Sequence, residues 1–232
     1  MQLLLDNLTA LIISAILILS LQVTQVRSQH AAIEQIASHS MKAKTLVFGE
    51  WVEHDILNIG ANYGTNLYRF EAPTLDAEGN APEWMFYSNG VEGGQPIRVI
   101  KRFWLEKTTV AEFKTDTLQL YVLHRDSLRV FFDASGKPES YTASDWTPIG
   151  ESISTLSFFR VDLIDRTGET PTYPAGGPKA GEINIDKIDY IRVRFGVVPE
   201  FVIKPDNYIR ELYWAKTLKV RPYWVPPKVV SS

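Results

Sequence analysis

No cysteine occurs anywhere in the 232 residues, so disulfide frameworks, thiolate metal sites and cysteine nucleophiles are excluded from the outset. Proline is missing from the first 72 positions, and nothing in that stretch forces a helix to break. Histidine is scarce, at four residues, and no G-x-S-x-G or H-E-x-x-H element is present. Charge of one sign is also lacking. With 24 basic against 27 acidic residues, the net charge of −3 supplies no field for gripping a nucleic-acid backbone. What remains is an ordinary globular composition, 45% hydrophobic and 22% charged, which argues against wholesale disorder.

One long hydrophobic run stands against these absences. From Leu8 to Val23 the only polar interruptions are Thr9, Ser14, Ser20 and Gln22, and a single acid, Asp6, precedes it. As a cleaved secretory signal the segment lacks a basic leader region, and Ser28 or Ala31 makes a poor cleavage site. Its length of about 16–21 residues is just enough for a transmembrane anchor. Taken at face value, Arg27 on the far flank would leave the body cytoplasmic, whereas a basic leader ahead of Met1 would reverse that orientation. The segment is expected to belong to the working protein.

Beyond Arg27 the pattern turns helical and two-faced. Ala32, Ile33, Ile36, Ala37, Ser40, Met41, Lys44, Val47, Phe48, Trp51 and Val52 recur at intervals of three and four, and Gly60 is a natural stop. The expectation is one helix over 1–60, apolar over 1–28 and amphipathic over 29–60, about 87 Å long. Residues 61–232 change to period two with turn punctuation. Strands are expected at 97–106, at 118–124 and 127–133 as a hairpin about His124–Ser127, at 152–165, at 188–198 and at 208–220. The Asp133–Pro138 stretch reads as a turn and 169–182 as a Pro/Gly loop. The fold class is therefore α+β, a long N-terminal helix followed by an antiparallel β-rich head.

Candidate chemistry is thin. His30 and Glu34 share a helix face at a spacing metals can use, but no second pair converges, and exposed polar residues on a rod explain them. His39, His54 and His124 add no ligand set. Asp162 and Asp165 near Gly168 read as turn formers, since no EF-hand spacing surrounds them. Gly176-Gly-Pro-Lys-Ala-Gly181 lacks the Ser or Thr of a phosphate loop. No catalytic residue, metal or cofactor is expected. Aromatics are more prominent: Trp84, Phe86, Tyr87, Phe103, Trp104, Trp146, Tyr213, Trp214, Tyr223 and Trp224 divide between a β core, subunit contacts and a sugar-binding platform.

Two stretches resemble the type IV pilin and pseudopilin superfamily, in its larger, minor-pilin-like form. One is Glu53-His-Asp55-Ile-Leu-Asn-Ile-Gly60 at the end of the rod. The other is Leu156–Gly168 followed by Ile188–Phe195, similar to that family's strand, turn and second strand. Members carry a basic leader ending in glycine and a glutamate as the fifth mature residue; here Leu5 holds that position and Asp6 is the match, offset by one. The resemblance implies a homopolymeric filament at the cell surface, assembled from the cytoplasmic membrane by pilus or secretion machinery. Copies would pack through Leu8, Leu11, Ile12, Ala15, Ile16, Leu19 and Val23. The Asp6 carboxylate would pair with the Met1 α-amino group of a neighbour, and the extended Tyr223–Trp224 tail would serve as an inter-subunit strap. The alternative is a single-pass, membrane-anchored binding module, or a pseudopilin.

Overall fold

The computed structural model describes residues 2–60, 70–113, 116–132, 139–152, 154–176, 178–198 and 211–220. The uninterrupted apolar-to-amphipathic stretch forms a single helix, α1, over Gln2–Leu57. At 1.5 Å per residue its 56 residues extend about 84 Å. The last turn tightens as Asn58 donates to the Asp55 carbonyl at 3.2 Å and Ile59 to that of Ile56 at 3.1 Å. Gly60 then takes φ 70°, a conformation that only glycine adopts freely, and its N–H donates to the Tyr87 carbonyl at 2.9 Å. The stop expected at Gly60 thus hands the chain directly to the sheet.

Among the described residues seven antiparallel strands follow: β1 Glu83–Glu92, β2 Gln95–Phe113, β3 Asp116–Phe131, β4 Thr147–Glu151, β5 Leu156–Ile164, β6 Tyr190–Val197 and β7 Leu212–Lys219. They lie in the order β1-β2-β3-β5-β6-β7, with β4 also pairing to β3. The architecture is α+β, a long N-terminal helix followed by an antiparallel sheet. The hairpin expected about His124–Ser127 is not formed, and those four residues lie within β3. They are polar yet compatible with a strand because each side faces a partner. His124 and Asp126 meet Trp104 and Arg102 on one face, and Arg125 meets the helix on the other. The strand expected over 152–165 forms as β5 but starts later, at Leu156. Before it comes Ser152, whose N–H bonds the Leu123 carbonyl at 2.7 Å and whose Oγ accepts from the Leu123 N–H at 3.1 Å. The expected turn at 133–138 lies outside the described residues.

Among the described residues the β3–β5 ladder has one register pair, Tyr121–Leu156. Asn80 and Ala81 fill the opening beside it. The Ala81 N–H donates to the Phe159 carbonyl at 2.9 Å, and the buried Asn80 accepts from the Phe159 N–H at 3.3 Å. This substitution of a loop for a ladder leaves the backbone groups satisfied.

The lower helix packs on one face of the sheet. Met41, Phe48, Val52, Ile56 and Ile59 are buried at the three- and four-residue spacing of one helix face, against a core built from Trp84, Phe103, Leu123, Phe159, Val193 and Phe195. Phe48 meets Phe195 edge-on at 4.7 Å, and Trp214 stacks on the same ring at 4.8 Å. Gly49 is what permits that approach: a Cβ there would lie 2.5 Å from the Trp214 Nε1. Docking, however, begins only at Met41. Ile33, Ile36, Leu46 and Val47 are exposed, Ile36 by 69%, so the amphipathic stretch expected to start at 29 has no sheet beneath its first third. Met41–Ile59 spans about 27 Å of helix, comparable to the roughly 26 Å of an eight-residue strand such as β6.

One polar contact fixes this docking. Asp55 is fully buried, and its carboxylate takes Lys101 of β2 and Arg125 of β3, whose side chains are only 18% and 13% exposed. Arg125 Nη2 donates to Asp55 Oδ1 at 2.5 Å while its Nε faces Oδ2 as an ion contact. Arg125 also lies over the Trp51 ring at 4.7 Å. Outside the core, Lys216 and Glu53 add a more exposed ion pair.

Two substitutions test this packing. Asp55→Ala leaves two largely buried cations without their counter-charge and is expected to cost about 3–5 kcal/mol, read from urea unfolding by tryptophan fluorescence. Gly49→Ala gains about 1 kcal/mol of helix propensity but overpacks Trp214 at about 1–3 kcal/mol. The clash wins, and a net loss of about 1 kcal/mol is expected; a stabilised variant would refute the close approach.

Candidate assembly surface

Among the described residues, the upper part of α1 is buried by no other element. Leu8, Leu11, Ile12, Ile16, Leu19 and Val23 are all exposed, between 50% and 69%. So are Ile13, Leu17, Ile18 and Leu21. Ile16, Leu17, Ile18 and Leu19 are consecutive, and at 100° per residue they look out on every side of the helix. This is therefore no one-sided face awaiting a single partner. A helix that is apolar all round belongs inside apolar surroundings.

The segment's length and polarity are well defined. No charged residue occurs from Asn7 to Val26, which is about 30 Å of helix and matches the hydrocarbon thickness of a bilayer. Its most apolar 18-residue window has a mean hydropathy of 2.0, and none of that window is buried. Two of its hydroxyls are returned to the helix: Thr9 Oγ1 donates to the Asp6 carbonyl at 2.9 Å and Thr24 Oγ1 to that of Ser20 at 2.9 Å. Such internal bonding is what an apolar medium requires. The N-terminal helix is thus long and apolar enough to cross a membrane.

Asp6 sits at the upper boundary of this uncharged stretch, exposed, with Arg27 at the lower one. Met1 and the Tyr223–Trp224 tail, the other expected assembly residues, lie outside the described residues. Between Arg27 and the docked Met41 runs a further stretch of helix, about 20 Å, in which Ile33 and Ile36 stand exposed.

The head holds the remaining candidates. His30 and His39 are exposed on the rod, and among the described residues no group of three His, Cys, Asp or Glu could hold a metal. Asp165 forms the expected turn, accepting from Thr167 Oγ1 at 2.6 Å and from the Thr167 N–H at 2.8 Å. The Thr167 hydroxyl holds its carboxyl below the usual carboxylate range. Asp162 is taken by Arg192 at 2.9 Å and Arg194 at 3.0 Å across neighbouring positions of β5 and β6. Of the aromatics, Trp84, Phe86 and Phe103 are core, while Tyr213 is exposed.

On the sheet face away from the helix, a polar aromatic cluster went unforeseen. Asp126 accepts from Arg102 Nη2 at 2.5 Å and from Trp104 Nε1 at 2.8 Å, and Trp104 stacks on His124 at 4.2 Å. Arg102 lies over Trp146 at 4.4 Å. The signal was available in the parity of β2 and β3, where Arg102, Trp104, His124 and Asp126 fall on one face once both are read as strands. Comparison with protein-family models, with curated proteins and with solved structures finds no match to this chain. Its function must be argued from these residues.

Since every buried helix residue lies at or beyond Met41, removing Gln2–Val23 should leave the core intact. The truncated chain is expected to be soluble and folded, with unchanged near-ultraviolet circular dichroism, whereas the full chain should partition into detergent. A truncated head that fails to fold would show that the free helix stabilises it.

Proposed function

We propose that this chain is the structural subunit of a pilus-like filament, resembling the type IV pilin and pseudopilin superfamily. It polymerises through its N-terminal helix and does mechanical rather than catalytic work. The observation that carries the reading is where the exposed apolar residues stop. A bilayer covers roughly 30 Å, which the uncharged Asn7–Val26 stretch already fills. Ile33, Ile36, Leu46 and Val47 continue the exposed apolar surface well below it, and lipid cannot reach them in the same chain. Neighbouring helices can cover both stretches at once.

The energetics favour such a bundle. Burying even several hundred Å² of apolar surface per subunit is worth on the order of 10 kcal/mol before association costs. In that core Asp6 needs a counter-charge from a neighbouring copy, and such a pairing would set the axial register between copies. Before assembly the same segment resides in the membrane, with the Thr9 and Thr24 hydroxyls bonded back to the helix. Heads then coat the outside, placing the filament at the cell surface.

A second reading shares the membrane stage. Because Asn7–Val26 matches a single bilayer crossing, the chain also fits an anchored binding module that never leaves the membrane. Electron microscopy of material sheared from cells, with this chain identified by mass spectrometry, separates the two. Uniform fibres containing the chain support the subunit; recovery only in the membrane fraction supports the anchor. Asp6→Ala is expected to insert normally in membranes and to reduce fibre yield at least tenfold. Normal fibres in that variant would remove the register role.

A further inference from the structure

The head carries a cleft on the sheet face away from the helix. Its volume is about 880 Å³, within the range of small-molecule sites. The floor is the sheet face away from the helix, where Tyr87 of β1, Arg98 and Ile100 of β2 and Val130 of β3 lie at matched register positions. Tyr141, 46% exposed, stands on one wall, and Tyr173 with Lys179 stands on another, the ammonium 5.6 Å from the ring centre. The third wall is Glu71–Thr74, which also borders a second hollow of about 540 Å³ reaching Arg102 and Trp104. The two form neighbouring compartments along β1.

We propose that this cleft binds a neutral oligosaccharide. Three tyrosine rings converge on it, and a ring that is apolar on its face and polar at its tip suits a ligand with the same division. A pyranose has that division: its C–H faces lie flat on aromatic rings, while its hydroxyls both donate and accept. The rim provides for both roles, with Glu71, Glu139 and Glu182 as acceptors and Arg98 and Lys179 as donors. That mixture of signs disfavours ligands carrying a strong charge of either kind, since each would meet its own sign at close range. A peptide adding as a strand is disfavoured too, because the outer side of β1 is already bridged by Phe70 to Phe86 and by Thr74 to Glu83. Partial pre-organisation is visible, as Tyr87 Oη is held by the Glu71 carboxylate. The second hollow, with Trp104 fixed between Asp126 and His124, gives room for more than one sugar unit.

The test uses the full chain in lipid nanodiscs, which avoid detergents with sugar headgroups. Isothermal titration is run against neutral hexasaccharides, α- and β-linked glucose, mannose, xylose and N-acetylglucosamine oligomers. Saturable binding of at least one is expected, weakened at least tenfold in Tyr141→Ala plus Tyr173→Ala and unchanged in Tyr213→Ala, which lies outside the cleft. Both substituted tyrosines stand on connecting segments outside the core, so the fold is expected to survive; circular dichroism checks this, and the single variants replace the pair if it does not. No saturable binding by any oligomer, or binding that ignores the tyrosine substitutions, would overturn the proposal. The same oligomers presented on cells or free in solution then distinguish a surface glycan from a soluble one. Neither outcome depends on filament formation, so this reading and the subunit reading fail separately.

Discussion

The buried carboxylate of Asp55 is the contact on which the rest depends. A charge without solvent must be paired, and its two partners come from adjacent strands, Lys101 on β2 and Arg125 on β3. Satisfying both at once leaves the helix little freedom to rotate or slide over the sheet. That constraint turns Phe48, Val52 and Ile56 inward and aims the remaining helix away from the head as a fixed rod. Apolar packing supplies most of the stabilisation, but apolar packing alone tolerates alternatives. The ion cluster is the directional part. Gly49, beneath Trp214, lets the helix approach β7 closely.

A single helix is thereby divided among two environments. Below Met41 it is the central element of a folded domain, with one face covered and the other wet. Above Val26 it is apolar on every side and has no water-soluble solution by itself. The intervening stretch is the informative part, because its Ile33 and Ile36 stand exposed and it lies outside the thickness one bilayer provides. Exposed isoleucines in such a place make sense when other copies of the rod lie alongside. The head, meanwhile, keeps a second face free of the helix, where aromatic and charged side chains of both signs gather over β1 and β2. The proposed assembly surface and the proposed binding cleft thus lie apart, one on the free part of the helix and the other on the sheet face away from it.

The parts legible in the sequence were those with strong local signals. The rod followed from an apolar run and an absence of proline, and its end at Gly60 from a residue that alone accepts φ 70°. Tyr190–Val197 followed from the alternation of Ile191, Val193 and Phe195 with Arg192 and Arg194. What escaped was non-local. β3 was divided at His124–Ser127 because four polar residues read as a turn, and only the cross-strand partners Trp104, Arg102 and the helix acid Asp55 make them a strand. β1 was passed over although Gly93-Gly94, with φ 58° and 82°, is a strong two-residue hairpin signal beside Trp84, Phe86 and Tyr87. The amphipathic pattern begins at residue 29 but packing only at Met41, because periodicity reports which residues share a face, not whether anything lies opposite. The cleft could not be read at all, since Tyr87, Tyr141 and Tyr173 meet only through the fold.

The chain's lack of cysteine makes one measurement especially clean. Single cysteines placed in turn at Leu11, Ile16, Ile33 and Ile36 would be oxidised in intact cells and the products resolved by mass. Disulfide-linked pairs of this chain at both the upper and the lower positions are expected if rods pack against one another along their length. Chains that remain single at all four positions, with the upper thiols instead labelled by lipid-phase reagents and the lower ones by water-soluble reagents, would contradict a filament core built from this helix.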